Sequence, residues 1–384
     1  MSPDCDTPAC TAMCSATNGS LRMRNFVLLY RPQACRRSRK HARRCSSRTS
    51  MKNNTMNIAY LILAHNNPRL LDTLMAQLDS DQAQADAPAH PTAPSKAHFF
   101  LHIDRKADIA PFLGLADRYP HLHFCRDRVD GAWAHFSLVE ATLRLMRQAM
   151  QTLGTPDRVV LLSGATLPVQ PPAYIASFFA RERGANYMDA FAMPNEEYGK
   201  GLGRLEHYWI RRSPPMHRYR WMLQDFINAH LPRRNFRRAF GPLQPAAGSQ
   251  WWAITGEACR YVLDYVSEHP RFVRFCHHTD CPDEFFFQTI LWNSPFKESL
   301  RPTLTYTDWR PGKQSPEAIN SDTLAQFAQG VVFNSPHNNS PLPPGEVLFA
   351  RKFDEQDWPV IAQLIALLQA KAARQAAAPL RESA

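Results

Sequence analysis

The chain has 384 residues, of which 44% are hydrophobic and 21% are charged, so it is long enough for one large domain or two smaller ones. Its formal net charge of +11 comes mainly from residues 1–55, which hold eleven Lys and Arg against two Asp. The remaining residues carry only about +2, so the charge does not indicate a nucleic-acid-binding protein. No stretch approaches about 18 uninterrupted apolar residues, so no membrane-spanning helix is predicted.

Residues 1–55 are rich in Arg, Ser and Cys and lack apolar periodicity, so we predict a disordered basic leader. Their one apolar run, 26–30, is too short for a signal peptide. Met51 and Met56 make a mis-assigned start codon an alternative, and contact of the leader with an acidic membrane surface is another. Nine scattered cysteines do not form a disulfide framework. We therefore predict a cytoplasmic protein, with peripheral contact at the inner face of the membrane as an option.

The first half of the body alternates buried strands with amphipathic helices. We predict strands at 58–65, 97–103, 121–125 and 158–164, with helices at 66–78, 109–118, about 133–152 and 171–182, and a mobile linker at 79–96. This alternation indicates an α/β fold with a mainly parallel central sheet flanked by helices. Ligands bind at the carboxyl ends of the strands in such sheets. His65, Asp104 and Ser163 fall at that edge.

The second half begins with residues 185–245, which are rich in Arg, Tyr, Trp, His and Pro and have weak periodicity. We predict a loop-rich lobe inserted over the sheet edge. Strands are predicted at 248–255 and 304–309, and helices at 256–269, 282–292 and 360–373. The predicted organisation is therefore the leader, a domain over 56–355, and a C-terminal helix and tail over 356–384.

Two acidic residues begin the predicted helix 282–292, directly after Pro282. Acids at the start of a helix often only complement its dipole, and this interpretation applies to Asp283 and Glu284 as well. The alternative is that Glu284 leaves an otherwise apolar helix and enters a cleft as a catalytic base.

A pair of basic residues, Arg351 and Lys352, lies between Phe349-Ala350 and Phe353. A basic pair is usually a solvated surface feature, but apolar residues on both sides favour a partly buried anion site, for example for a diphosphate. A nucleotide-sugar transferase needs a base for the acceptor hydroxyl and positive charge for the departing diphosphate. Glu284 and the Arg351–Lys352 pair would divide these two tasks.

Eight blocks occur in one order along the chain and together resemble glycosyltransferase family 14, which contains the core-2/I-branching β-1,6-N-acetylglucosaminyltransferases and the peptide O-xylosyltransferases. The blocks are residues 59–65, 102–104, 133–139, 162–164, 248–252, 282–286, 307–309 and 349–353.

The resemblance implies a GT-A-type fold that binds a nucleotide sugar, an inverting mechanism, and a UDP-sugar co-substrate held without a metal or other cofactor. It matches Glu284 to the catalytic base, Arg351 and Lys352 to the diphosphate-binding pair, and Asp104 to the uracil and ribose contact. With His65 beside it, Asp104 forms the predicted nucleotide-binding pair.

Three tryptophans of these blocks, Trp133, Trp251 and Trp309, are candidates for packing against sugar rings of donor or acceptor. An ordinary core role is the alternative for each. Two blocks depart from the family pattern, at Ala165-Thr166 and at Ala134-His135, near the expected sugar pocket. UDP-N-acetylglucosamine and UDP-xylose are the expected donors, and a hydroxyl of a glycan or another molecule is the expected acceptor, in bacterial surface polysaccharide synthesis.

Two other segments contain residue types that bind metals. Asp79-Ser80-Asp81 has the DxD pattern of metal-dependent GT-A enzymes, but it follows a helix rather than a strand. The segment 276–281 has Cys and His residues without a second paired cluster at zinc spacing. A metal-dependent transferase and a non-catalytic protein that binds carbohydrate or polyanions through its leader are the alternative functions.

Overall fold

The computed structural model describes residues 55–79, 95–210, 219–310, 313 and 315–377. The helices are α1 Pro68–Leu78, α2 Ala110–Leu113, α3 Leu115–Arg118, α4 Ser137–Leu153, α5 Pro172–Arg181, α6 Gly203–Glu206, α7 Arg220–His230, α8 Phe236–Phe240, α9 Gly256–Glu268, α10 Pro270–Cys276, α11 Phe286–Trp292, α12 Ser321–Phe327 and α13 Trp358–Ala377. Short 3₁₀ helices span Pro282–Glu284, Lys297–Ser299 and Glu355–Asp357.

The strands are β1 Met56–Ala64, β2 Ser95–Ile103, β3 Leu122–Phe124, β4 Arg158–Ser163, β5 Leu167–Pro168, β6 Asn186–Tyr187, β7 Phe191–Ala192, β8 Ala246–Ala247, β9 Ala253–Thr255, β10 Leu300–Arg301, β11 Thr305–Tyr306 and β12 Phe349–Ala350. Seven of them form the central sheet in the order β10-β6-β9-β4-β1-β2-β3. Only β9 runs antiparallel to its neighbours. The predicted α/β fold with a mainly parallel central sheet is confirmed.

Both faces of the sheet are covered by apolar residues. Successive residues of β1 point to opposite faces and therefore belong to different clusters. Ile58, Tyr60 and Ile62 belong to one apolar cluster, which also receives α1, α5 and α13. Ala59 and Leu61 belong to a second cluster, which receives α4, α9, α10 and α11. Strands buried on both faces read as continuous apolar runs, and this explains why β1, β2 and β4 were recognisable from the sequence.

The register of the three central strands brings their carboxyl ends together. Ala64 at the end of β1 pairs with Ile103 of β2, and Leu63 pairs with Ser163 of β4. The residues that follow these strands, His65, Asp104 and Gly164, are therefore neighbours at one edge. This edge is the one at which ligands were predicted to bind.

Several predicted element boundaries are wrong. The single helix predicted over 282–292 is a 3₁₀ turn followed by α11, and Phe285 between them has a non-helical φ of −140°. The strand predicted over 248–255 is reduced to Ala253–Thr255, and of the residues before it Trp252 still accepts from Leu161 N of β4 over 2.8 Å. The helix predicted over 109–118 divides into α2 and α3.

The predicted loop-rich lobe, residues 185–245, begins within the central sheet. Its first residues, Asn186–Tyr187, form β6 and pair with β9 and β10 of the central sheet. Two apolar segments, 304–309 and 348–354, contribute β11 and β12 to a separate three-stranded sheet with β5. The predicted leader and most of the linker lie outside the described residues, and the domain limits stay predictions. No described helix is both long enough and apolar enough to cross a membrane.

Candidate functional site

A cavity of about 180 Å³ brings together residues from seven separate parts of the chain. Glu284, Arg351 and Lys352 all line it, although Glu284 is separated from the basic pair by more than sixty residues in the sequence. The lining also includes the following residues: Trp133, Ala134, Leu138, Lys200, Gly248, Ser249, Gln250, Trp251, Cys281, Asp283, Thr307, Trp309, Ser315, Pro316, Asn338 and Asn339.

The carboxylate of Glu284 is held by two cations from the predicted lobe. Lys200 Nζ and Arg204 Nη1 donate hydrogen bonds to Oε2 over 2.7 Å and 2.6 Å. Within the described residues no hydrogen bond reaches Oε1. Burial alone would raise the pKa of Glu284, but the charges and hydrogen bonds of the two cations outweigh it and lower the pKa. The carboxylate is therefore ionised at neutral pH.

Asp283, the neighbour of Glu284, has the opposite character. Its side chain is buried, and within the described residues Oδ1 has no hydrogen-bond partner. Burial and the charge of Glu284 raise its pKa. The pKa values of the two adjacent carboxyl groups are therefore shifted in opposite directions, because the two cations form hydrogen bonds with Glu284 and stabilise its charge.

The turn that carries Glu284 packs against the segment that begins at Gly248. Gly248 N donates to Glu284 O over 2.8 Å. A Cβ at Gly248 would lie 1.8 Å from Asp189 O, so no larger residue fits in this backbone. The close approach of these segments places Ser249, Gln250 and Trp251 on the wall of the cavity.

The basic pair is fixed by the apolar residues on both sides of it. Phe349 and Ala350 form β12 and are fully buried, and Phe353 donates its backbone N–H to Ala165 O over 2.9 Å. Lys352 O accepts from Ile319 N over 2.9 Å. The segment 349–353 is thus anchored on both sides, and only its two cations face the cavity.

Arg351 is a half-buried cation without a carboxylate partner in the described parts of the chain. Its guanidinium carbon lies 4.5 Å from the ring centroid of Trp251, a cation–π distance. Burial lowers the pKa of Arg351 to about 10, so the group keeps its charge at neutral pH. Burial and the charge of Arg351 also lower the pKa of Lys352. Two adjacent unneutralised cations are an arrangement that an anion would stabilise.

The three predicted tryptophans all line the cavity but differ in exposure. Trp133 is 72% exposed, whereas Trp251 is 7% exposed and supports Arg351. Trp309 is half-buried. Trp133 and Trp309 thus offer accessible ring surface, and Trp251 positions a cation.

His65 and Asp104 lie together at the strand edge but do not line the cavity. The Asp104 carboxylate accepts from Lys106 N over 2.9 Å and from Gly131 N over 3.0 Å. A Cβ at Gly131 would lie 2.7 Å from Asp104 Oδ2 and 3.6 Å from Leu138 Cδ2, and Leu138 lines the cavity. Asp104 is therefore separated from the cavity by one narrow layer. The nucleotide-binding roles of His65 and Asp104 stay predictions.

Lys200 and Arg204 were not found by the sequence analysis. They lie in the stretch 185–245, where many cations occur without periodicity, so nothing local distinguishes these two. Lys200 is fixed by its bridge to Asn195.

The two candidate metal sites have different outcomes. Ser80 and Asp81 of the DxD pattern lie outside the described residues. In the segment 276–281, Cys276 is buried and its pKa is raised by burial. Across the described ranges, no group of three or more His, Cys, Asp or Glu residues is arranged to hold a metal ion.

Comparison with known proteins finds a matching family model and several xylosyltransferases. The family model described as Core-2/I-Branching enzyme matches residues 81–329. The chain is similar to xylosyltransferase 2 of Rattus norvegicus, with 26% identity over 220 residues, which is 55% of this chain and 23% of that protein. It is similar to xylosyltransferase oxt of Drosophila melanogaster, with 25% identity over 225 residues, which is 55% of this chain and 23% of that protein. The matched segment is thus under a quarter of the length of these relatives.

Among solved structures, the chain is similar to mouse xyloside xylosyltransferase 1 in its apo form. The identity is 10% and the TM-score 0.32, over 77% of this chain and 97% of that chain.

The family match spans most of the described part of the chain, from the linker through the cavity residues Trp133, Glu284 and Trp309. It confirms the family that the eight ordered blocks indicated. The chain belongs to the Core-2/I-Branching enzyme family of glycosyltransferases.

Proposed function

We propose that this chain transfers a sugar from a UDP-sugar to an acceptor hydroxyl with inversion and without a metal ion. The observation that carries the proposal is that Glu284 and the Arg351–Lys352 pair line one cavity. An ionised carboxylate and two unneutralised cations face the same space, which is the charge arrangement that this reaction requires.

Glu284 acts as the general base. Its Oε2 is occupied by Lys200 and Arg204, so Oε1 is the oxygen that takes the proton of the acceptor hydroxyl. As the proton leaves, the hydroxyl oxygen forms a bond to the anomeric carbon of the donor. In a single displacement the hydroxyl attacks from the side opposite the leaving group, so the product has the inverted configuration. One carboxylate is sufficient, because no covalent sugar intermediate forms.

Arg351 and Lys352 act on the leaving group. The bond between the anomeric carbon and the diphosphate oxygen breaks, and the electron pair stays on the diphosphate. A guanidinium offers two parallel donors to phosphate oxygens, and an ammonium offers a compact charge. Fixed cations of this kind supply the charge stabilisation for which other transferases use a metal ion.

The nucleoside end of the donor would extend toward Asp104 and His65. Gly131 and Leu138 connect the wall of the cavity to the Asp104 carboxylate. A UDP molecule with its diphosphate at Arg351 would thus have the strand edge within reach of its uridine. This path supports Asp104 as a nucleotide contact, and His65 follows the neighbouring strand at the same edge.

Donor and acceptor are proposed at the level of class. UDP-xylose and UDP-N-acetylglucosamine are the first donors to test, because the relatives named above are xylosyltransferases and the family is described as branching enzymes. The acceptor is a hydroxyl of a glycan or of another molecule, with Trp133 and Trp309 as the exposed ring surfaces of the pocket. Synthesis of bacterial surface polysaccharide and a cytoplasmic location are part of the same proposal.

The proposal is tested by measuring UDP release across a set of UDP-sugars with and without EDTA. We expect release with one of the two donors, unchanged by EDTA, and at least ~10²-fold less in Glu284→Gln. Glu298→Gln, at a 3₁₀ helix outside the cavity, is the control and should retain full activity.

Three outcomes would contradict the proposal. Loss of activity in EDTA with recovery in Mn²⁺ would favour the metal-dependent alternative. Full activity of Glu284→Gln would exclude the assigned base. Absence of UDP release combined with loss of carbohydrate binding on deletion of residues 1–55 would favour the non-catalytic alternative.

A further inference from the structure

An apolar strip lies exposed on helix α7 of the predicted lobe. Met222 is 71% exposed, Phe226 57% and Tyr219, which precedes the helix, 52%. Their spacing of three and four residues places them on one side of a helix. Leu231, at the end of α7, is 49% exposed. Exposed large apolar residues are normal when scattered, but a contiguous group marks an interaction surface.

The apolar strip is accompanied by positive charge. Residues 219–241 contain five Arg and a single acidic residue, Asp225. Arg237 and Arg238 in α8 are exposed, and within the described residues neither forms an ion pair. Arg233, between the two helices, is 73% exposed at its side chain and pairs with Glu206 at 3.0 Å. We define the α7–α8 surface by Tyr219, Met222, Phe226, Leu231 and these three arginines.

We propose that the α7–α8 surface binds an anionic lipid membrane. Exposed aromatic and aliphatic side chains beside Arg are the composition of helices that lie in the membrane interface. The apolar side chains would enter the headgroup region while the arginines contact the acidic headgroups. A protein partner would explain the apolar strip, but the exposed Arg237 and Arg238, together with Arg233, complement an anionic surface better than an average protein surface.

Hydrogen bonds join the α7–α8 surface to the segment that carries Arg204. Gln224 of α7 accepts from Ile210 N over 2.9 Å and donates to Tyr208 O over 2.6 Å. Arg234 donates its backbone N–H to Glu206 O over 2.7 Å, and Glu206 ends the short helix that contains Arg204. A membrane bound at α7 would thus lie against the same lobe that holds Glu284 in place.

The test uses the full chain and vesicles in a flotation assay at physiological salt. We expect binding to vesicles of equal phosphatidylglycerol and phosphatidylcholine, and at least tenfold weaker binding to pure phosphatidylcholine. The double substitutions Met222→Glu/Phe226→Glu and Arg237→Glu/Arg238→Glu should each weaken binding to the anionic vesicles at least tenfold.

Two controls match these variants elsewhere on the surface. Phe333→Glu changes another exposed aromatic residue, 59% exposed, and Arg147→Glu/Arg374→Glu reverses two exposed arginines on α4 and α13. Both should bind as the parent chain does. Since every substituted side chain is exposed, we expect unchanged thermal unfolding, and the arginine variant decides the test should the apolar variant unfold.

Three results would overturn the proposal. The first is equal vesicle binding by the parent and both α7–α8 variants, which would assign binding to the basic leader. The second is binding that does not depend on anionic lipid. The third is a dimer by light scattering that becomes a monomer in Met222→Glu/Phe226→Glu, with no vesicle binding by the parent, which would make this surface a contact with a second copy.

Discussion

The ammonium of Lys200 lies 2.7 Å from Oε2 of Glu284, and its side chain is only 3% exposed. Lys200 lies 84 residues before Glu284 in the sequence. Burial of such an ion pair carries a desolvation penalty that can exceed the attraction between the charges, so we infer a functional role for the pair. The contact fixes the orientation of the carboxylate and holds it ionised.

Lys200→Met should move the pH dependence of transfer. Removal of the ammonium raises the pKa of Glu284, because the charge of Lys200 is the largest of the causes that lower it. Since a general base must be ionised, the acidic limb of the kcat/KM profile should shift to higher pH by a similar amount, with partial recovery of activity at alkaline pH. Lys297→Met, outside the cavity, is the control. An equal loss of activity at every pH would mean that Lys200 has only a structural role.

Replacement of the basic pair should remove the affinity for the diphosphate and spare that for the nucleoside. In Arg351→Ala/Lys352→Ala we expect UDP to bind at least tenfold more weakly by calorimetry, because charge-assisted hydrogen bonds to phosphate are lost. Uridine should bind the parent and the variant equally. A variant that loses affinity for both ligands alike would show that the pair maintains the fold rather than contacting phosphate, and Arg374→Ala is the matched surface control.

Gly248→Ala should destabilise the site through a steric clash. The added Cβ would lie 1.8 Å from Asp189 O, and overpacking of this kind costs about 1–3 kcal/mol of unfolding free energy, occasionally more. The backbone shift that relieves it would displace Glu284, whose carbonyl accepts from Gly248. Gly184→Ala, where the Cβ meets nothing within 4 Å, is the control. Urea unfolding checks stability, and an unchanged midpoint would contradict the described packing.

Two buried histidines of β2 should make stability fall in acid. Burial and the charge of His121 lower the pKa of His98 to about 4, and burial, opposed by Asp104, lowers that of His102 to about 4. The unfolded chain takes up these protons near pH 6.5 and the folded chain only near pH 4. The folded chain therefore has its full stability with respect to these two histidines above about pH 6.5. As the pH falls toward 4, the free energy of unfolding decreases by about 1–3 kcal/mol for each histidine.

The measurement is the free energy of unfolding in urea between pH 7.5 and 4.5. His102 Nε2 accepts from Val129 N over 2.7 Å, so protonation also breaks a hydrogen bond near Asp104. His102→Gln should reduce the slope of stability against pH, whereas His269→Gln at the exposed end of α9 should not. A slope that is the same in both variants would assign the acid sensitivity to other groups.

The sequence by itself determined the strands whose burial is complete and the residue types of the site. Strands β1, β2 and β4 are apolar throughout because both of their faces are covered, and this leaves a mark in the chain that does not depend on neighbours. Glu284, Arg351 and Lys352 were likewise recognisable, because charged residues between apolar ones stand out locally.

Tertiary structure alone decided which side chains meet. Lys200 and Arg204 are two cations among many in a stretch without periodicity, and only their approach to Glu284 distinguishes them. The contact between Gly248 and the turn of Glu284 is of the same kind, because a contact between distant segments leaves no periodic pattern in either one.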